Sequence, residues 1–207
     1  MLGFETKSAD DHGKLKRALR ARCAEGTDLG GTRLALYLCG MTAADRSECP
    51  GCGALLPMVE GPVHRYMDGS PACFEFFTRI LAYEYSDAAL QTTHRMTVDT
   101  YAVQHPGADG TRRQIQSVGL HLARLKLQLD NPLRPRETNE VMLGLSEFKH
   151  SLERLEPPKR FSMTVADVVE FAGTSQHPDR VRAWALATWN DWSEHHGYIS
   201  DWVKKRL

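Results

Sequence analysis

The fold of this chain is most constrained by residues 48–77, ECPGCGALLPMVEGPVHRYMDGSPACFEFF, which contain three of the five cysteines. Cys49 and Cys52 are separated by two residues, and the glycines beside them allow the tight turn in which two thiolates reach one ion. Cys73 follows Ser70-Pro71, an N-cap and a first helical position, so it falls where the helix dipole favours a thiolate. The pattern predicts a metal site, with structural zinc as the ion.

Zinc in a structural site has four ligands, and the sequence offers several candidates for the fourth. We predict His64, which gives the spacing C-x2-C-x11-H-x8-C with the three cysteines. Cys39 and a histidine from a later helix are the alternatives. A redox-active C-x-x-C pair is a second interpretation, although this pair does not lie at the strand-to-helix junction typical of redox motifs. Buried cysteines that bind no metal are a third.

Outside this loop the apolar residues recur with helical period, and no pair of strands is indicated. The pattern therefore predicts an all-α fold, a helical bundle with an irregular zinc-knuckle loop near the N-terminal third. The predicted helices cover residues 71–85, 86–105, 111–129, 138–155 and 164–173, with a last long helix from Pro178.

The domain organisation follows from the same pattern. A chain of 207 residues is long enough to bury a sizeable core, and we expect one zinc-stapled helical domain over residues 48–207. Within it, residues 48–130 carry the motifs and residues 138–207 form C-terminal helices. Residues 1–47 are expected to be an N-terminal helical extension that includes a basic amphipathic helix around Lys14–Arg22.

A second group of polar residues lies one helix beyond the cysteines. His94, Tyr101 and His105 share one face of a predicted helix, and His121 flanks the apolar stripe of the next. Because a short loop joins these helices, we predict that the side chains converge on a pocket with acid–base or metal-binding chemistry. Asp99 lies off this face, where it can orient a histidine from a neighbouring helix or cap Arg95 or Arg113. The alternative is that each residue is a hydrogen-bonded part of the core.

Charge and hydropathy exclude some classes of protein. The 26 basic and 26 acidic residues cancel, so no overall field attracts nucleic acid or an anionic membrane. The N-terminus lacks a signal-peptide pattern, and the apolar run Leu34–Met41 is too short to span a membrane, so we expect a cytoplasmic protein. The four tryptophans, all within Trp184–Trp202, favour core packing or a homodimer through the C-terminal helix.

The motifs CPGCG, GPVHRYM, SPAC, EYSD, HRMTVDTYAVQHPG and QSVGLHL, in this order, resemble a bacterial family known only as a domain of unknown function. The similarity runs from Cys49 to Leu129, and the segment from MTVADVVEFAG through VRAWALATWNDWSEHH also resembles that family. The resemblance implies no reaction, and residues 1–47 lie outside it. It does imply that one set of residues stands at motif positions together: Cys49, Cys52, His64, Cys73, His94, Asp99, Tyr101, Gln104, His105, Gln116 and His121.

Two classes of function remain open at this point. The first is a metalloprotein, an enzyme of unknown substrate or a small-molecule binder, in which the histidine pocket accompanies the zinc-stapled loop and is a candidate site for a second metal ion. The second is a non-enzymatic, zinc-stabilised module that binds a protein partner, with the polar cluster only locking the helices together. A nucleic-acid-binding zinc ribbon is disfavoured by the zero net charge. The residues assigned to the pocket are His94, Asp99, Tyr101, His105 and His121.

Overall fold

The computed structural model describes residues 45–130 and 135–207. Contacts divide the chain into two units, Met1–Arg46 and Ser47–Leu207, and the second contains nearly all of the described residues. The predicted basic helix around Lys14–Arg22 lies outside the described residues, and so does Cys39.

The described part of the chain is all-α, which confirms the predicted fold class. A short hairpin, β1 Arg46–Glu48 and β2 Leu55–Pro57, flanks the CPGCG turn. Among these residues no helix has both the length and the apolar character that crossing a membrane requires. The α-helices of the described ranges are α1 Pro71–Tyr85, α2 Gln91–Gln104, α3 Arg112–Asp130, α4 Pro135–Glu147, α5 His177–Asp191 and α6 His196–Lys204.

Helices α2 and α3 lie at the centre of the unit. α2 contacts α1, α3 and α5, and α3 also contacts α4, α5 and α6. On α3 the buried stripe includes Val118, Leu122 and Leu125, as the periodicity predicts. Large side chains of the helices and of the segments between them fill the interior, among them Ile80, Tyr101, Leu145, Leu152, Trp184, Trp192 and Ile199.

Helix α1 begins where the sequence predicts. Ser70 is the N-cap, its side-chain oxygen accepts a hydrogen bond from the backbone N–H of Cys73 at 3.3 Å, and Pro71 is the first helical residue. The apolar face that follows, including Phe76 and Ile80, is buried. Because the cap fixes where the helix starts, it also fixes Cys73 on the buried face of its first turn.

The fourth predicted helix is shorter than its apolar pattern indicates. α4 ends at Glu147, a 3-10 turn follows at Lys149–Ser151, and the chain is extended from Leu152. The guanidinium of Arg112 donates hydrogen bonds to carbonyl oxygens of this segment, so tertiary hydrogen bonds take the place of helical ones. Leu152 packs on Gly119 of α3, where an added Cβ would lie 2.7 Å from its side chain. Leu152 therefore follows the apolar period of the sequence because it is buried, although it does not lie in a helix.

Two further predicted helices are divided. The segment 164–173 forms 3-10 turns at Val165–Asp167 and Val169–Phe171, with Thr164 and Asp167 in a capping box. The long C-terminal helix is split into α5 and α6 by a 3-10 turn at Ser193–His195.

The tryptophan-rich C-terminal region packs inside the unit. Trp184 donates from Nε1 to the side-chain oxygen of Gln104 in α2 at 3.2 Å, and the amide nitrogen of Gln104 donates to Thr188 at 2.8 Å. All four tryptophans are buried: Trp184, Trp189, Trp192 and Trp202. This burial agrees with the expected core packing, and a homodimer through the C-terminal helix stays a prediction.

Candidate metal centre

The CPGCG turn is built around Cys49. Its backbone N–H donates to the carbonyl oxygen of Ala54, and its own carbonyl oxygen accepts from the N–H of Gly53, both at 2.9 Å. Gly53 has a φ of +72°, a left-handed conformation that glycine adopts without strain. Gly51 lies directly against His105 at the end of α2, since an added Cβ would be 2.5 Å from Cδ2 of that ring. Gly53 therefore allows the tight turn, and Gly51 leaves room for the ring of His105.

Three cysteines and His105 meet in the core. The sulfurs of Cys49, Cys52 and Cys73 and a ring nitrogen of His105 all lie within 4.8 Å of one another, and all four residues are buried. Nε2 of His105 is 3.3 Å from the sulfur of Cys73 and 3.5 Å from that of Cys49. The sulfurs of Cys52 and Cys73 are 3.8 Å apart, far beyond a disulfide bond of about 2.05 Å, and the three thiols are free.

These separations match the edges of a tetrahedral metal site. With zinc–sulfur bonds of about 2.3 Å and zinc–nitrogen bonds of about 2.0–2.1 Å, tetrahedral angles place two sulfurs about 3.8 Å apart and a sulfur and a nitrogen about 3.6 Å apart. The observed sulfur–sulfur distance of 3.8 Å and the sulfur–nitrogen distances of 3.3 and 3.5 Å agree with those values. The four side chains can therefore hold a metal ion.

Hydrogen bonds around the cluster prepare two of its members for metal binding. Nδ1 of His105 donates to the carbonyl oxygen of Tyr101 at 2.7 Å. The proton therefore stays on Nδ1, and Nε2 presents its lone pair to the sulfurs. The backbone N–H of Ser70 donates to the sulfur of Cys49 at 3.4 Å. These contacts are of the kind that orient metal ligands in other proteins.

Each of the three thiols changes the pKa of the other two. Hydrogen bonds from Cys52 and then from Cys73 hold the pKa of Cys49 well below its usual range. The hydrogen bond with Cys49 in turn raises the pKa of Cys52 to about 12, and hydrogen bonding with Cys49 also raises the pKa of Cys73. Three thiolates buried this close together would repel each other, because their sulfurs lie within 4.8 Å of one another. A divalent cation removes that penalty.

His64, the predicted fourth ligand, is not a member of this group. Its ring is only half-buried, packs edge-on against Phe74, and accepts a hydrogen bond at Nδ1 from the backbone N–H of Tyr66 at 3.2 Å. Partial burial, followed by the charge of nearby His105, lowers the pKa of His64. The group of side chains that could hold an ion contains His105 and not His64, which agrees with the alternative of a histidine from a later helix.

His94 belongs to a second buried cluster, centred on Glu84 of α1. The carboxylate of Glu84 accepts from the hydroxyl of Thr97 at 2.5 Å and from Nε2 of His177 at 2.9 Å, and it lies 3.2 Å from Nδ1 of His94. Glu84 and His177 are fully buried, and Nδ1 of His177 has no hydrogen-bond partner among the described residues. This cluster joins α1, α2 and α5. Sequence reasoning did not include Glu84 or His177 among the site residues.

Asp99 and His121 form a third cluster, between α2 and α3. The fully buried carboxylate of Asp99 accepts from Nδ1 of His121 at 2.6 Å, from Nε of Arg124 at 2.7 and 2.8 Å, and from Gln128 at 2.7 Å. Burial by itself raises the pKa of Asp99, but the hydrogen bonds and charges of His121 and Arg124 outweigh it and hold that pKa below its usual value. Asp99 is therefore a carboxylate that orients a histidine from the neighbouring helix.

The residues predicted to share one pocket thus lie in three places. Tyr101 stacks on His105 beside the sulfurs, His94 lies at Glu84, and His121 lies at Asp99. A cleft of about 340 Å³ opens beside the CPGCG turn, but its lining does not include His94, His105 or His121. It is formed by the turn, the loop after α2, the start of α3 and the extended segment, with Pro50, Gly51, Pro106, Ile115, Leu155 and Lys159 among its walls.

Comparison with known proteins identifies a family and no close relative of established function. The model of a family of unknown function, DUF5946, matches residues 47–193. No curated protein and no solved structure gives a significant match. The match includes the three cysteines, both clusters of buried polar residues and most of the helices.

Proposed function

Because the chain belongs to the DUF5946 family, whose function is unknown, we propose a role from the geometry: it is a zinc protein whose closed metal site staples its irregular loop to the helices. Cys49 and Cys52 come from the loop, Cys73 from the first turn of α1 and His105 from the end of α2. One ion bound to all four would join three separate segments. The observation that supports this is the tetrahedral spacing of the four buried ligand atoms.

The donor set favours zinc over other ions. Three thiolates and one imidazole are soft to borderline ligands, and a tetrahedral arrangement of them is typical of structural zinc, whereas magnesium, calcium and manganese prefer oxygen ligands. Four protein ligands fill the tetrahedral shell, which leaves no position for water or substrate. Cys49 and Cys52 are each 2% exposed and Cys73 is 0% exposed, so the ion would also be shielded from solvent. The proposed role of the metal is therefore structural.

Metal content tests this proposal with a matched pair of histidine variants. We expect wild-type protein without a histidine tag to carry one zinc ion per chain by elemental analysis. His105→Ala removes one of the four ligands and should reduce the zinc content to well below one and weaken retention against a chelator. His64→Ala should keep one zinc, because its ring lies outside the ligand group.

Two results would contradict the assignment. Wild-type protein that carries no metal after expression with zinc present would refute the site itself. Loss of zinc in His64→Ala, with full retention in His105→Ala, would restore the ligand set predicted from the sequence. Two ions per chain would instead support a second metal at one of the other polar clusters.

A structural metal is compatible with both of the function classes left open by the sequence. The interaction-module alternative is favoured by the apolar side chains that β2 and the loop between β2 and α1 expose, because exposed apolar surface often marks a binding site for a protein. The exposed residues are Leu55, Met58, Val63 and Tyr66.

A proton-transfer site at His121 is a second candidate function, which would place chemistry away from the metal. Nδ1 of His121 donates to the buried carboxylate of Asp99, and the imidazole side chain is 21% exposed. A carboxylate that holds Nδ1 in this way leaves Nε2 as the basic atom, which is the arrangement used by general bases. Arg124, on the same carboxylate and 22% exposed, would supply positive charge beside it.

Diethyl pyrocarbonate, which acylates accessible unprotonated imidazoles, tests whether His121 is available in this way. After brief treatment at neutral pH, we expect peptide mass spectrometry to find His121 modified, while the buried His105 and His177 remain unmodified as internal controls. Protection of His121 to the level of His177 would remove the basis for a proton-transfer role.

A further inference from the structure

Tyr101 is held rigidly beside the metal ligands. It lies on α2 one turn before His105 and is fully buried. Its ring stacks between two others, with the centroid 3.8 Å from that of Phe77 and 3.9 Å from that of His105, at interplanar angles of 11° and 25°. The position of the hydroxyl is therefore determined by packing on both faces of the ring.

The hydroxyl of Tyr101 is directed toward the cysteine cluster. A Cβ added to Gly69 would lie 3.0 Å from this hydroxyl and 3.7 Å from Nε2 of His105, so both polar atoms approach the same point of the loop. The hydroxyl is buried and makes no hydrogen bond to any described residue. Such groups are uncommon in protein interiors, because a buried donor without an acceptor loses its hydrogen bonds to water.

The cysteine sulfurs are the candidate acceptors for a hydrogen bond from the Tyr101 hydroxyl. A phenol is a hydrogen-bond donor at neutral pH, and of the three cysteines Cys73 has the largest electrostatic influence on this hydroxyl. A metal-bound thiolate carries negative charge and accepts a hydrogen bond more strongly than a neutral thiol does.

We propose that Tyr101 is a positioning residue of the metal site, and that its hydroxyl donates a hydrogen bond to the thiolate of Cys73 when metal is bound. This inference rests on the proposed zinc function and deepens it. Tyr101 then supports two ligands at once, since its carbonyl oxygen already accepts from Nδ1 of His105. The hydrogen bond withdraws electron density from the sulfur, which makes the thiolate less reactive and the metal harder to remove.

The variant Tyr101→Phe isolates the hydroxyl, because phenylalanine keeps the ring that packs between Phe77 and His105. Loss of hydrogen bonds of this kind typically weakens metal affinity about 10–100-fold, and we expect a reduction in that range by competition with a zinc chelator. The variant should still bind one zinc per chain, and its zinc should be released faster by a thiol-alkylating reagent. Tyr85→Phe, which removes an exposed hydroxyl at the end of α1, should match the wild type in both measurements.

Each outcome distinguishes this inference from the proposed function. Wild type and Tyr101→Phe with equal affinity and equal release rates would overturn the role of Tyr101 and leave the zinc site intact. Wild type that binds no zinc would refute the proposed function, and the present inference with it.

A measurement on the wild type alone covers the case in which Tyr101→Phe does not fold. In the NMR spectrum of cadmium-113-loaded protein, the hydroxyl proton of Tyr101 should exchange slowly and show a nuclear Overhauser effect to the β protons of Cys73. A hydroxyl proton that exchanges with solvent too fast to detect would overturn the inference.

Discussion

Replacing Cys49 or Cys73 by serine is expected to give insoluble or largely unfolded protein. A structural zinc site contributes about 10–16 kcal/mol of apparent binding free energy, which is as large as the whole stability of a typical domain, about 5–15 kcal/mol. Serine removes one of four ligands and leaves the other thiols buried without a cation. Circular dichroism and thermal unfolding of whatever soluble protein is recovered would measure the effect.

Cys39 and Cys23, which are not among the described residues, provide the control for this experiment. Cys39→Ser and Cys23→Ser change the same side chain in the same chain, and we expect both to fold with an unchanged melting temperature, because four other residues complete the site. A soluble Cys49→Ser/Cys73→Ser double variant that melts at the wild-type temperature would refute the structural role of the metal.

Asp99→Ala is expected to destabilise the fold by about 3–5 kcal/mol, the cost of removing one partner from a buried ion pair. The carboxylate of Asp99 is fully buried and accepts hydrogen bonds from His121, Arg124 and Gln128, so its removal leaves three donors on α3 without their acceptor. Urea unfolding, with the free energy extrapolated to water, is the measurement.

Asp130→Ala is the matched control, because it removes a carboxylate that is exposed to solvent. Asp130 lies at the end of α3, is 55% exposed, and pairs with Lys126 one turn away. Exposed pairs of this type contribute about 0.2–1 kcal/mol. If the two substitutions cost the same, the carboxylate of Asp99 does not hold α2 and α3 together.

The contribution of Asp99 should also depend on pH in a defined direction. Its pKa in the folded protein is below the usual value, so its ionised form is favoured by folding. The stability that it contributes is then fully present above the unfolded-state pKa of about 3.9 and is lost as the pH falls through the folded-state pKa. We therefore expect the difference in unfolding free energy between wild type and Asp99→Asn to shrink as the pH falls below about 4. A difference that grows on acidification would contradict this.

The tertiary contacts of the histidines could not be predicted from the sequence. His94, Tyr101 and His105 were predicted to share one helix face and one pocket, yet His94 contacts Glu84 of α1 and His105 contacts the cysteines. Their common helix face did not produce a common pocket, because each helix position meets a different neighbour along the length of α2. Glu84 and His177, 93 residues apart, come together only through the packing of α1 and α5. No pattern within either segment indicates that contact.

What the sequence determined by itself was local. Interactions within a few residues determine the CPGCG turn and the start of α1 at Ser70-Pro71, and spacing and residue type describe such interactions well. The three thiols lie in these two segments, so the sequence identified them. Only the tertiary structure brought a fourth side chain, His105, next to the three thiols. Gly51 and His105 meet because α2 ends against the turn, and the separation of 32 positions between Cys73 and His105 follows no spacing rule that selects His105 over the nearer His64. The choice depends on which ring the packed helices bring within bonding distance of three sulfurs, and that distance is a property of the whole fold.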